Sequence, residues 1–152
     1  DPLAQFSQTG APSPLTALVK DSPTVSKGSE RDQYGVAIDL MRARKFQEAI
    51  SSFQALIETF PNGRYTANCF YWLGELFVAT GDKELGRQNF MQVINLYPDN
   101  QKVPDALYKL GRIYIDLGDT DIGQRYLSQV IENHPESSAA KLAVSYSESL
   151  TE

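Results

Sequence analysis

Cysteine and histidine are almost missing from this chain of 152 residues, which holds one of each, Cys69 and His134. A lone cysteine cannot close an internal disulfide, and two candidate ligands fall short of the roughly four that a structural zinc site takes. Cys–His nucleophilic catalysis would need that one pair in contact; packing roles on a helix and at a helix end account for both residues more simply. Glycine-rich phosphate loops are missing too, since neither G-x-G-x-x-G nor G-x-x-x-x-G-K-[ST] occurs. No catalytic residue, cofactor site or metal site is therefore expected, and the chain does not read as an enzyme. Positive charge is sparse: 14 Lys and Arg stand against 19 Asp and Glu, for a net charge of −5. The one dense basic patch, Arg42-Ala43-Arg44-Lys45, is short and interrupted, so nucleic acid is not an expected partner. No apolar run approaches the roughly 18 residues needed to span a bilayer. The chain starts at Asp1 with neither an initiator Met nor a signal peptide, which leaves processing and truncation equally open.

Proline and glycine are unevenly spread. Four of the eight prolines, Pro2, Pro12, Pro14 and Pro23, lie within residues 1–29 among Ser, Thr and Gly. Such a stretch buries too little apolar surface to offset its ordering entropy. Residues 1–29 are expected to be a disordered, low-complexity linker, and no clean P-x-x-P marks them as a proline-rich ligand.

From residue 30 onward a repeat takes over. Phe60-Pro61-Asn62, Tyr97-Pro98-Asp99 and His134-Pro135-Glu136 recur at steps of 37 and 37 residues. Shifting 67–98 by that step onto 104–135 gives ten identities, among them Tyr71/Tyr108, Leu73/Leu110, Gly74/Gly111, Gly81/Gly118, Asp82/Asp119 and Gly86/Gly123. A more diverged first unit keeps Tyr34, Ala37, Ala49, Phe53, Ile57 and Pro61 in phase. Recurrence of this kind marks an internal repeat.

Each unit reads as two helices. Phe70, Leu73, Gly74 and Phe77 fall at i, i+3, i+4 and i+7, one stripe of a helix. Gly81-Asp82 should close that helix and start the next, glycine taking the left-handed cap and aspartate the N-cap. The stripe resumes at Phe90, Val93 and Ile94 and stops before Pro98. Small residues, Ala37, Gly74 and Gly111 on the first helix and Ala49, Gly86 and Gly123 on the second, stand where the two helices must meet closely. A mid-helix glycine costs about 1 kcal/mol against alanine, and its recurrence at equivalent positions argues for backbone contact. The expected fold is all-α, an α-solenoid of three helix pairs over about 30–63, 67–100 and 104–137. A capping helix over 138–150 is expected to cover the open end.

Phe70, Leu73, Gly74, Phe77, Gly86, Phe90 and Pro98 together resemble the tetratricopeptide repeat family. The 37-residue step exceeds the family's 34 by three residues in each connection between repeats. Unit one departs most, with Gln33 in place of a large apolar residue and Arg44-Lys45 in place of Gly-Asp. A narrower resemblance rests on the strings 42–50, 71–75, 103–111 and 137–143. Over about 31–150 they are similar to the C-terminal repeat domain of the Tol-Pal system coordinator family, the YbgF or CpoB proteins. That resemblance implies a periplasmic, protein-binding scaffold that engages TolA. It also implies coordination of a penicillin-binding peptidoglycan synthase with outer-membrane constriction during cell division, and self-association through an N-terminal coiled coil that has no counterpart in this sequence. An adaptor of another envelope complex, or an interaction domain joined to an enzyme outside this stretch, remains open.

In a stacked array the first helix of each unit lines the concave side. Residues beside the core stripe should therefore face a protein-binding groove: Arg31, Tyr34, Ile38 and Met41 in unit one, Asn68, Tyr71 and Glu75 in unit two, Asp105, Tyr108 and Arg112 in unit three. Tyr34, Tyr71 and Tyr108 recur at the repeat step, and tyrosine anchors interfaces at low entropy cost. Packing between adjacent repeats, with the hydroxyls in water, accounts for the same recurrence. Trp72 reads as packing between repeats.

Overall fold

The structure, a computed structural model, describes residues 28–152. All but the last two residues of the expected linker lie outside the described residues. Seven α-helices and no strand occur among the described residues: α1 Glu30–Arg42, α2 Phe46–Thr59, α3 Thr66–Ala79, α4 Lys83–Leu96, α5 Val103–Asp116, α6 Thr120–Asn133 and α7 Ser138–Ser149. They fall into two compact units divided between Asn89 and Phe90, within α4. The first unit packs α1 on α2 and α2 on α3; the second packs α5 on α6 and α7 on both.

Short three-residue turns separate the helices of each pair, and every first helix ends alike. Lys45 N–H donates to Leu40 C=O and Arg44 N–H to Met41 C=O, each at 3.0 Å. One repeat on, Asp82 bonds Phe77 at 2.8 Å and Gly81 bonds Val78 at 3.1 Å; one further, Asp119 bonds Tyr114 at 2.8 Å and Gly118 bonds Ile115 at 3.0 Å. This paired closure needs a left-handed residue just past the helix. Gly81 and Gly118 supply it at φ 95° and 94°, and Arg44 supplies it at φ 61°. The turn of unit one therefore has the same form as the others despite its different sequence, at the cost of holding a side-chain-bearing residue in the left-handed region.

Aspartate meets its expected role at one of the two turns. Asp82 Oδ1 accepts the Leu85 N–H at 3.0 Å and caps α4. Asp119 makes no side-chain cap on α6; its backbone, at φ −90° and ψ 63°, lies outside the extended conformation a capping residue adopts. The helix α7 is capped by Ser137, whose Oγ accepts the Ala140 N–H at 3.0 Å.

The small residues do sit at close contacts. A Cβ on Gly123 would stand 2.5 Å from Ile115 Cγ1 and 2.6 Å from the Gly111 carbonyl oxygen. One on Gly86 would meet Val78 Cγ2 at 2.6 Å and the Gly74 carbonyl at 3.1 Å. Burial reaches further round the first helices than one stripe. In α3, Thr66, Ala67, Cys69, Tyr71 and Leu76 are buried along with Phe70, Leu73 and Gly74, and in α5 Val103, Ala106 and Ile113 join Leu107, Leu110 and Gly111. Each of these helices is therefore covered on several sides within its own unit. Ala139, Ala140 and Ala143 turn the buried face of α7 inward, their small size letting it lie close to α5 and α6.

Candidate protein-binding face

Two local clusters hold four of the ten residues expected in the groove, Tyr34 with Asn68 and Tyr108 with Arg112. In the first unit, Tyr34 on α1 stacks on Tyr65, with ring centroids 4.4 Å apart and planes 13° from parallel. Its edge meets Phe53 of α2 at 6.0 Å. The Tyr34 hydroxyl accepts the Trp72 Nε1–H at 2.8 Å and an Asn68 Nδ2–H at 3.4 Å, so both donors come from α3. Burial, the largest cause, pushes the Tyr34 pKa up from the ordinary phenol value, against the pull of those two donors. Trp72 thus ties the first repeat to the second.

Glu30 ties the same repeats by a different bond. Its carboxylate accepts the Arg64 N–H at 3.0 Å and the Tyr65 N–H at 2.9 Å, satisfying donors just ahead of α3. A Cβ on Gly63 would run into this carboxylate, so glycine there makes room for it. Sequence reasoning missed the pair because the step of 37 places Ala67 and Pro104 opposite Glu30, and no recurrence flags it.

In the second unit, Arg112 Nη1–H donates to the Tyr108 hydroxyl at 3.2 Å. The guanidinium lies 4.6 Å from the Tyr146 ring centroid and 5.9 Å from that of Tyr108. Its pKa is raised, chiefly by the bond to Tyr108. Tyr146, on the capping helix, was not among the expected site residues; the step of 37 from Tyr108 leads to Ser145, so recurrence gave no signal.

Exposure sorts the expected residues. Arg31 and Arg112 are exposed; Tyr34, Ile38, Met41, Asn68, Glu75 and Asp105 are partly exposed. Tyr71 and Tyr108 each keep 6% of their surface in solvent. Those two rings are therefore packed chiefly against protein, and Tyr71 lies edge-on to Trp72 at 5.0 Å. An open polar recess of about 460 Å³ runs along α6 between Asp121 and Asn133, and none of the expected residues lines it.

Chemistry for catalysis is thin in this setting. Cys69 is 1% exposed, and burial, with a smaller push from Glu30, raises its thiol pKa well above the ordinary range. A thiol so placed stays protonated and is a poor nucleophile. Among the described residues no group of three or more His, Cys, Asp and Glu is placed to hold a metal ion, and no helix is long and apolar enough to cross a membrane.

Comparison with known proteins bears on this geometry. A segment of 53 residues is 41% identical to the cell division coordinator CpoB of Pseudomonas putida; it is 35% of this chain and 20% of the relative's length. Among solved structures, PcrH from Pseudomonas aeruginosa superposes with a TM-score of 0.69 at 20% identity, over 81% of this chain and 92% of that one. PcrH in complex with the chaperone binding region of PopB gives 0.65 at 18%, over 79% and 92%. MamA gives 0.62 at 19%, over 96% and 82%. At such identities these structures support the fold alone. The family model for the tetratricopeptide repeat matches residues 33–63, 68–100 and 105–137. Those stretches are well over half of the sequence, and the chain belongs to the tetratricopeptide repeat family.

Proposed function

We propose that this chain is a non-catalytic protein-binding module of a cell-division coordinator, acting in the periplasm. The observation that carries the reading is the conjunction of three tetratricopeptide repeats with a segment similar to CpoB. In this reading the module engages the periplasmic region of TolA and a penicillin-binding peptidoglycan synthase. Repeat helices are stiff platforms that present fixed side chains at little ordering cost, which suits a scaffold. The fold neighbour PcrH is solved in complex with the chaperone binding region of PopB, another protein.

Contact falls on the first helices: Arg31, Tyr34, Ile38 and Met41, then Asn68, Tyr71 and Glu75, then Asp105, Tyr108 and Arg112. The partly exposed members of this set supply the area, and the Tyr71 and Tyr108 rings support them from below. Isothermal titration of the chain with the TolA periplasmic region tests the assignment. Arg112→Gln together with Asn68→Ala should weaken binding about tenfold, or ~1.4 kcal/mol, with the circular dichroism unchanged. Unchanged affinity in that variant would move the contact off the first helices. Absence of any binding by the wild-type chain would remove TolA as the partner.

A further inference from the structure

Arg42-Ala43-Arg44-Lys45, the densest basic run in the chain, lies beyond the residues of the proposed first-helix contact and spans the last residue of α1 and the turn to α2. All four of its residues are exposed. The same turn in the second and third repeats carries Gly81-Asp82 and Gly118-Asp119, with a glycine at the left-handed position. In the first repeat that position is held by Arg44 at φ 61°, where a side chain is disfavoured and glycine is not. The turn geometry alone calls for glycine, so the arginine is not there for the fold. Backbone strain kept at an exposed charged position points outward, toward a ligand.

The side chains are also unspent. Arg42, Arg44 and Lys45 make no ion pair among the described residues, although Asp39 and Glu48 flank the turn along α1 and α2. The Arg44 guanidinium lies 5.5 Å from the Phe46 ring centroid. Its backbone is pinned by the paired turn bonds and its head lies over that ring, which narrows the directions its fork of donors takes.

We propose that this turn is a docking point for an acidic segment of a protein partner, with Arg44 gripping a carboxylate and Arg42 and Lys45 adding attraction. A planar guanidinium pairs with a carboxylate through two parallel bonds, which a lysine cannot reproduce. An anionic membrane is the weaker fit. Lipid surfaces recognise basic clusters of about four to eight charges without regard to the geometry of any one of them. Here there are three, on a chain of net charge −5, and the oriented one is the strained one.

The test separates a functional arginine from a merely tolerated one, because Arg44→Gly relieves the turn. Nuclear magnetic resonance titration of the 152-residue chain with the blocked peptide hexaglutamate should shift amides of 42–46, while hexaglutamine leaves them in place. Arg44→Gly should melt higher than the wild type and bind hexaglutamate at least fivefold more weakly. Higher stability with unchanged affinity would overturn the proposal. So would shifts of equal size at Arg64, Arg125 and Lys141, which would reflect unspecific attraction. Sedimentation with vesicles containing anionic phosphatidylglycerol, unaffected by Arg44→Gly and stronger than peptide binding, would assign the turn to a membrane instead.

Discussion

Gly123→Ala is the sharpest test of how the two helices of a repeat meet. In an ordinary helix interior this change gains about 1 kcal/mol of helix propensity. Here the new Cβ would lie 2.6 Å from the Gly111 carbonyl oxygen and 2.5 Å from Ile115 Cγ1. The Ile115 contact can relax by a rotamer change, but the carbonyl belongs to the α5 backbone and can give way only if the helix moves. Overpacking of this kind costs typically about 1–3 kcal/mol. With the backbone contact placing it near the upper end, the net loss should be about 1–2 kcal/mol, and Gly123→Leu should lose several. At Gly86 the carbonyl of Gly74 stands farther off, 3.1 Å from the would-be Cβ, and the closest atom is the end of Val78. Gly86→Ala should therefore cost less than Gly123→Ala, because the carbonyl has to give only slightly, although Val78, stiff at χ1, must still move. Thermal melts of the two variants compare the sites directly, at about 3–5 °C per kcal/mol for a domain of this size. A Gly123→Ala protein that melts at or above the wild type, or below Gly86→Ala by less than a degree, would refute the reasoning.

Removing the first repeat's carboxylate tie with Glu30→Ala should cost about 1–2 kcal/mol, since two amide donors lose a charged acceptor. Gly63→Ala should also destabilise, and denaturant unfolding of the double variant should fall short of the sum, because the clash at Gly63 is with the Glu30 carboxylate itself. Lys45→Asp should change stability little in the same assay, because position 45 stands at φ −85° and ψ 70°, close to the backbone at which Asp119 makes no side-chain cap. Alkaline pH should weaken the fold. Burial raises the pKa of Cys69 and of Tyr34 in the folded state, so the unfolded chain releases these protons first. Stability is then fully present below the ordinary thiol value of about 8.5 and declines as pH rises past it. Urea midpoints across pH 7 to about 10.5 should fall, and Cys69→Ala should flatten the part of the slope that begins near the thiol value. An unchanged slope in that variant would mean Cys69 ionises as readily folded as unfolded.

Much of the architecture was legible because repetition multiplies weak signals. One Gly-Asp pair is an ambiguous turn, but Gly81-Asp82 and Gly118-Asp119 at the same phase as the prolines mark a boundary that both helices of a pair must share. The helix pairs, the close contact at Gly111 and Gly123 and the capping helix followed from spacing, since period and side-chain size are properties of the chain itself. Whatever does not recur escaped. Glu30 with Gly63, Tyr146 over Arg112, and the stacked Tyr34 and Tyr65 each join residues that no periodicity relates. Arg44 shows the limit from the other side: its letters break the pattern, yet its backbone keeps it, because the turn is dictated by helices on both sides. Local sequence decided where helices begin and end. Only the tertiary structure decided which tyrosines remain in solvent, for exposure depends on the neighbours a helix acquires on every side, and Tyr71 and Tyr108 acquired enough to leave 6%.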